Sequence, residues 1–539
     1  MSGTGHTTTW TTASGDARVD GILYGTHWAD PTLTYSFPST SGEYDPSDGA
    51  GEAAGLFAAT PAIRDAAGFA LDRATGTAAD DGFSVEGFTG LRVKVTTLEQ
   101  AHIRVAQTTQ DPYGYGTAWG YFPSTYDSGG DVWLSNVSFD YSAPQAGGYA
   151  YISVLHELGH ALGLEHGHDS GTFGVVPTGY DAMEYTIMSY RSYPGASSNM
   201  YSNAEWGYAQ SYMMLDIAAL QYLYGADYST NSGNTVYRWA PDSGETLVNG
   251  EAAISPGANR IFATIWDGGG TDTYNLSAYD TDLVIDLMPG SASVFAGAQL
   301  ARLGAGELAT GNIYNALLQG DDPRALIENV IAGAGDDVIF GNTADNLLKG
   351  KQGNDTISGR TGGDSLIGNA GQDRLDGGLG DDDLAGGTGR DRLLGARGSD
   401  SLDGGKGNDI LKGGKGKDLL QGNDGDDTLV GGLGQDMLLG AEGADSFRFL
   451  TAEDSAAFNT SDHIGDFLSG TDFIDLSALI PGTFALQIGG PFTATGPSVI
   501  TRDKGDDIVV RADLDGDGKA DFGIVLDSIS AVAAGDFIL

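Results

Sequence analysis

Apolar residues change their spacing twice along this chain. In roughly the first two-fifths, short runs such as LTYSFP (33–38), HIRVAQ (102–107) and GDVWLS (130–135) predict strands. TPAIRDAAGFALDRA (60–74) spaces its apolar residues for one helix face and has a proline near its start. YAYISVLHELGHALG (149–163) predicts a second helix ended by Gly163, and YMMLDIAALQYLYG (212–225) a third closed by Gly225. A mixed α/β region is expected there. From about 226 to 331 the pattern turns to short strands and glycine turns, as in IFATIWDGGGTDTYNLSAY.

A strict period of nine then takes over, over 333–447, in units such as GGKGNDILK and GGLGQDMLL. Counting every ninth residue from Asp337 to Asp445 gives 13 units, 12 with aspartate and one with Asn346. Two residues later every unit has an apolar residue, from Ile339 to Phe447, and a glycine follows four residues after each of the first 12. Such a unit splits into a glycine-rich turn and a short strand with one inward apolar side chain, which no single unit can bury. Stacked units predict a parallel β-roll with a thin aliphatic core. Its turns bring aspartates of successive layers together, and these repel unless a divalent cation lies between them. The run resembles the calcium-binding RTX nonapeptide repeat, GGxGxDxUx. A flexible acidic linker is the competing reading, but linkers do not hold an apolar residue at fixed phase. With two units per coil, one stack is Asp337, Asp355, Asp373, Asp391, Asp409, Asp427 and Asp445. The other is Asn346, Asp364, Asp382, Asp400, Asp418 and Asp436. After 450 the pattern is compact and β-rich again. DLDGDGKAD (513–521) begins like an EF-hand loop, yet position twelve is Ile524 where that loop needs a bidentate glutamate. A plain hairpin turn competes with a calcium loop there.

Composition narrows the partners. At 539 residues more than one core is expected. The formal net charge of -46 repels nucleic acid and anionic membranes and favours hard cations. No cysteine is present, which excludes disulfides, zinc-thiolate sites and cysteine nucleophiles. No apolar run is long enough to span a bilayer. The opening MSGTGHTTTWTTASGDARVDG lacks a basic start and an apolar segment, so a Sec signal peptide is not expected.

Of eight histidines, three fall in HELGHALGLEH, 156–166. His156 and His160, four apart, share a helix face and can bind one metal. Gly163 lets the chain turn so that His166 returns as a third ligand. His168 rivals it by composition, but spacing favours His166. Three neutral imidazoles leave zinc an open position. Glu157, beside the first ligand, can accept a proton from water and pass it to a leaving amine. HExxH alone is a weak match, whereas the full HExxHxxGxxH is far more specific.

YTIMSYRS (185–192) adds a second element, with Met188 placed 22 residues after His166 as a Met-turn would be. Together with the nonapeptide run, these motifs resemble the serralysin-type secreted zinc metalloproteases of the metzincin clan (peptidase family M10). LTYSFP, YFPSTYDSGGDVWL, LDIAALQYLYGA, WDGGGTDTYNLS and the tail extend the similarity. The resemblance implies a leader or short propeptide at 1–20 and an α/β metzincin catalytic domain at 21–225. It further implies a β-rich connection with calcium sites at 226–331, an RTX β-roll at 332–449, and a β cap with a type I secretion signal at 450–539. By the same resemblance Tyr190 ligates zinc at rest and stabilises the oxyanion, and Met188 is the floor beneath the metal. Asn231, Gly233, Thr235, Asp267, Gly269, Gly270, Asp272 and Glu328 correspond to further calcium ligands. The usual threonine partner of Glu328 is Leu326 here. Asp536, Phe537, Ile538 and Leu539 match the family's acidic-then-apolar export signal. The expectation is a monomeric, extracellular zinc endopeptidase with one zinc and several calcium ions, acting on proteins or peptides. Its further expected partners are the type I secretion machinery and, as a candidate, a small proteinaceous inhibitor. The competing reading is an RTX surface or S-layer-associated calcium-binding protein in which proteolysis is secondary. The intact His156, Glu157, His160, His166 and Tyr190 argue against it.

Overall fold

The strand expected at HIRVAQ forms over Ile103–Thr108 and is buried at all six positions. It lies at the centre of a sheet, between Thr32–Ser36 and Asp131–Ser135, both parallel to it. Arg92–Val95 extends one side in parallel, and Ala118–Gly120 closes the other as an antiparallel edge. A charge inside so buried a strand needs a partner. Arg104 donates from Nε to Asp131 Oδ1 at 2.6 Å and stacks its guanidinium on Tyr44 at 4.3 Å.

This computed structural model describes residues 6–44, 51–97, 100–111, 114, 117–455, 461–479, 485–493 and 496–539. Of the expected leader 1–20, residues 1–5 lie outside the described residues. The chain divides into two compact units, one of residues up to 278 with 287–327, the other of 279–286 with 328–539.

In the first unit the three expected helices form as Pro61–Leu71, Tyr149–Leu162 and Met214–Tyr224. The first starts at Thr60, whose hydroxyl accepts the Ile63 amide at 3.3 Å, with Pro61 where no amide is needed. It buries Ile63, Ala66, Ala67, Ala70 and Leu71, one face at helical spacing. The second is buried from Tyr151 to its end. It stops at Gly163, whose φ of 104° is left-handed, and a Cβ there would lie 2.7 Å from the Thr26 carbonyl. Later in this unit, Val236–Ala240, Ser243–Val248 and Glu251–Ile254 form an antiparallel meander.

The second unit is mostly β, with long parallel sheets. Successive nonapeptide strands alternate between two sheets, so each strand pairs with the one 18 residues on. In register, Ile339, Ile357, Leu375, Leu393, Leu411, Leu429 and Phe447 stack in one sheet. Leu348, Leu366, Leu384, Leu402, Leu420 and Leu438 stack in the other. All thirteen are at most 2% exposed, the thin aliphatic core that the period of nine requires. Both ladders continue past the repeats, through Asp462–Ile464 and Phe473–Asp475. Phe537–Ile538 pairs in parallel with Ile474 and Asp475, and Asp536 accepts the Ser469 hydroxyl at 2.7 Å. The tail residues Phe537 and Ile538 are thus built into the sheet, Asp536 is buried in the short turn just before them, and Leu539 follows the last paired position. Residues 514–521 connect the antiparallel strands Asp507–Asp513 and Phe522–Leu526, and Ile524 is buried within the second.

Candidate functional site

The helix Tyr149–Leu162 places His156 and His160 one turn apart, and the left-handed exit at Gly163 returns the chain so that His166 meets them. Each imidazole has its Nδ1 against an oxygen. His156 Nδ1 donates to the Ile187 carbonyl at 2.7 Å, and His160 Nδ1 to the Leu164 carbonyl at 2.8 Å. His166 Nδ1 donates to Asp169 Oδ2 at 3.0 Å. With the protons on Nδ1, the three Nε2 atoms present bare lone pairs. They nevertheless converge: His166 Nε2 lies 3.2 Å from His156 Nε2 and 3.0 Å from His160 Nε2. Three acceptors at that spacing repel unless a cation sits among them. Tetrahedral zinc with Zn–N bonds near 2.05 Å sets its nitrogens about 3.3 Å apart, so the donor set fits zinc. Burial, and then the neighbouring imidazoles, pushes the three rings down, His156 to about 4 and His166 to about 2. His160 falls well below its ordinary value for the same reasons. All three therefore stay neutral at physiological pH, as ligation needs. His168 stacks on His166 at 5.3 Å between centroids and lies outside the converging trio.

Glu157 is 7% exposed, and burial pushes its carboxyl up to about 8, offset by a hydrogen bond from the Gly120 amide on the edge strand. A dication among the histidines favours the carboxylate and counters that shift. Tyr190 has its ring 5.4 Å from that of His156 and 4.5 Å from that of His166. Burial raises its phenol above the usual range. Met188 is fully buried with Sδ against Gly159, where a Cβ would come within 2.6 Å. His156, Glu157, His160, His166 and Tyr190 share one cavity of about 800 Å³. Tyr149, Ile152, Met200, Tyr201 and Tyr208 add apolar and aromatic surface to its lining.

A second cluster lies around 231–272. Thr235 donates its hydroxyl to the carbonyls of Asn231 and Gly233 at 3.2 and 3.1 Å, and its amide to Asp272 Oδ1 at 2.7 Å. Asp267 takes the Tyr237 hydroxyl at 2.8 Å and the Gly269 amide at 2.9 Å. Burial, and for Asp267 also the neighbouring Asp272 charge, raises both carboxyls. Gly270 has no room for a Cβ, which would lie 2.3 Å from the Gly233 carbonyl. Two buried carboxylates among carbonyls suit calcium. Glu328 gives its backbone carbonyl to Asn346 Nδ2 at 3.0 Å, and Leu326 is buried.

In the roll, each aspartate accepts, through Oδ1, the amide of the repeat residue 18 before it, as when Asp373 takes the Asp355 amide at 2.8 Å. The other oxygen is left over. Oδ2 of Asp355, Asp364, Asp373, Asp382, Asp391, Asp400, Asp409, Asp418, Asp427, Asp436 and Asp445 is buried without a hydrogen-bond partner. Each faces a repeat glycine whose Cβ would collide with it, as at Gly350 and Asp355 Oδ2, 2.0 Å. Rows of orphaned carboxylate oxygens fit calcium. Asp337 differs, because Leu283 and Gly333 donate their amides to its two oxygens at 2.8 and 3.1 Å. Asn346 likewise takes the Asn342 amide at 2.8 Å. Sequence reasoning missed Asp462 and Asp472. They take the Asp436 and Asp445 amides at 2.9 and 3.2 Å, continuing both ladders, and Asp462 Oδ2 is orphaned like the rest. The signal was an aspartate two residues before a buried isoleucine, Ile464 and Ile474, as in the repeats. Asp513, Asp515 and Asp521 also lie close together, but amides of Gly516 and Gly518 already occupy both oxygens of Asp513.

Among known proteins, the chain is similar to Serralysin of Proteus mirabilis, 34% identical over 43% of this chain and 44% of that protein. Metallopeptidase AprA of Pseudomonas marginalis is 33% identical over 46% of this chain and 50% of its own length. The chain spans about half the length of the curated relatives it matches. A solved structure, the AlgE6R3 subunit from the Azotobacter vinelandii Mannuronan C5-epimerase, is 33% identical over 28% of this chain and 80% of its own, with a TM-score of 0.20. A family model described as Peptidase M10 serralysin C terminal matches residues 226–539, more than half of the chain, and by that match the chain belongs to the serralysin-type M10 family.

Proposed function

We propose that this chain is a secreted, calcium-stabilised zinc endopeptidase that hydrolyses peptide bonds in extracellular proteins. The observation that carries the reading is the convergence of three unprotonated Nε2 atoms beside a buried glutamate in one cavity. His156, His160 and His166 would hold zinc, with Tyr190 near enough to join them. Zinc bound there supplies Lewis acidity that polarises a peptide carbonyl and acidifies water. Glu157 takes the proton of the attacking water and delivers it to the departing amine. The Tyr190 hydroxyl donates to the oxyanion as it develops. Among the described residues the edge strand Ala118–Gly120 pairs with Asp131–Ser135 alone, and an extended substrate can add along its other edge, beside Glu157. Residues 21–225 form the catalytic domain in this reading, and 226–331 connect it to the 332–449 roll and its 450–539 cap. Calcium belongs to the 231–272 cluster and to the aspartate rows of the roll. Export by the type I route fits a roll that folds only where calcium is plentiful. Among the described residues no helix is long and apolar enough to cross a membrane.

The test is casein hydrolysis by the full chain, with zinc removed by a chelator and then restored. Activity lost and recovered supports the reading. Indifference to zinc, or no hydrolysis by zinc-replete protein, removes it. Tyr190→Phe is expected to lower kcat on peptides by about 10- to 1000-fold while zinc affinity changes little, since three histidines still hold the metal. An unchanged kcat would leave Tyr190 a packing residue only.

A further inference from the structure

The turn at 185–188 supplies the Ile187 carbonyl that receives His156 Nδ1–H, the buried Met188 and, two residues on, Tyr190. Asp216 holds this turn from the first turn of the helix Met214–Tyr224, and it is fully buried. Its Oδ1 accepts the Thr186 hydroxyl at 2.5 Å, and its Oδ2 accepts the amides of Ile187 and Met213, both at 2.9 Å. The Thr186 oxygen in turn accepts the Met188 amide at 3.0 Å. The peptide between Ile187 and Met188 is therefore fixed at both ends. Its N–H is held by Thr186, which Asp216 orients, and its C=O is held by His156. A backbone bond from the Leu215 amide to the Tyr185 carbonyl, 2.9 Å, ties the same helix end to the same turn.

We infer that Asp216 is a positioning residue for the metal centre: through Thr186 it sets the plane of the Ile187–Met188 peptide, and through that peptide the orientation of His156 and the placement of Tyr190. The inference rests on the zinc reading above. Partners of this kind, one bond removed from the ligand, fix a histidine's ring and tautomer. Asp216 acts one step further out, and its burial with a donor on every side keeps the relay from rearranging. Nothing in HELGHALGLEH signals it, because it lies 60 residues beyond His156.

The experiment compares Asp216→Ala and Asp216→Asn with the wild type in the full chain. Zinc affinity is read by chelator competition, and the ligand field by the visible spectrum of the cobalt-substituted protein. Asp216→Ala is expected to weaken zinc about 10- to 100-fold, to shift the cobalt spectrum, and to lower kcat with KM nearly kept. Asp216→Asn keeps an oxygen for the two amides and turns an NH2 towards Thr186, so it is expected within a few-fold of wild type. If Asp216→Ala does not fold, Thr186→Val removes the relay alone and should move zinc affinity and spectrum the same way, less far. A folded variant, Ala or Val, with wild-type zinc affinity and cobalt spectrum overturns the inference, even if its metal-free form melts earlier. Wild-type protein that binds no zinc at the three histidines brings down the zinc reading itself, and this inference with it.

Discussion

Glu157→Ala is expected to keep one bound zinc and to lose nearly all proteolysis, with kcat/KM falling by about two to four orders of magnitude. That is roughly 3–5 kcal/mol of transition-state stabilisation. The direction follows from where the carboxylate lies. It is beside a ligand without belonging to the converging trio, buried, and anchored by the Gly120 amide. The three Nδ1–H bonds that orient the imidazoles go to Ile187, Leu164 and Asp169, so none depends on Glu157. Metal analysis of the purified variant should thus give the wild-type zinc content. Glu157→Gln should behave alike, because an amide holds the same space but accepts no proton. Full activity in zinc-replete Glu157→Ala would assign the proton transfer elsewhere.

Much of this site was legible because its information is local. Spacing of four puts two histidines on one helix face, and Gly163 announces the exit that brings back the third. The roll was legible for a different reason. A period of nine with one apolar position leaves a single way to bury that residue, and the observed register of 18 follows from two units per coil. What escaped was set by contacts distant in sequence. The grip of Asp216 on the 185–188 turn has no local signature. Asp462 and Asp472 keep the ladder geometry but break its count, since the chain takes 26 and 27 residues rather than 18 to return. The strand Arg92–Val95 reads RVKV, with only Val93 buried, too short and too polar to be picked out. The partition of 287–327 with the first unit depends on tertiary contacts that no composition shift marks.

Chelation of calcium is expected to unfold the 333–447 segment, and more readily at pH 7.5 than at pH 5. Burial, and then neighbouring carboxylates, pushes Asp355, Asp382, Asp391, Asp418 and Asp427 up to about 7. An unfolded aspartate titrates near 3.9. Between about pH 4 and pH 7 the folded, metal-free roll therefore binds more protons than the unfolded chain, and its stability falls as pH rises through that window. Below it the carboxyls are neutral in both states and the penalty disappears. Calcium reverses the slope, because it binds the deprotonated form and competes with protons. The order of folding along the roll also follows. Amides already satisfy Asp337 and Asn346, whereas the orphaned oxygens run from Asp355 to Asp462. In a calcium titration followed by hydrogen exchange, amides from Asp355 onward should gain protection with the steepest calcium dependence, and those near Asn346 should lag or gain least. Protection that is equal with and without calcium, or a chelated roll that grows more stable from pH 5 to pH 7.5, would mean that these carboxylates are not what calcium neutralises.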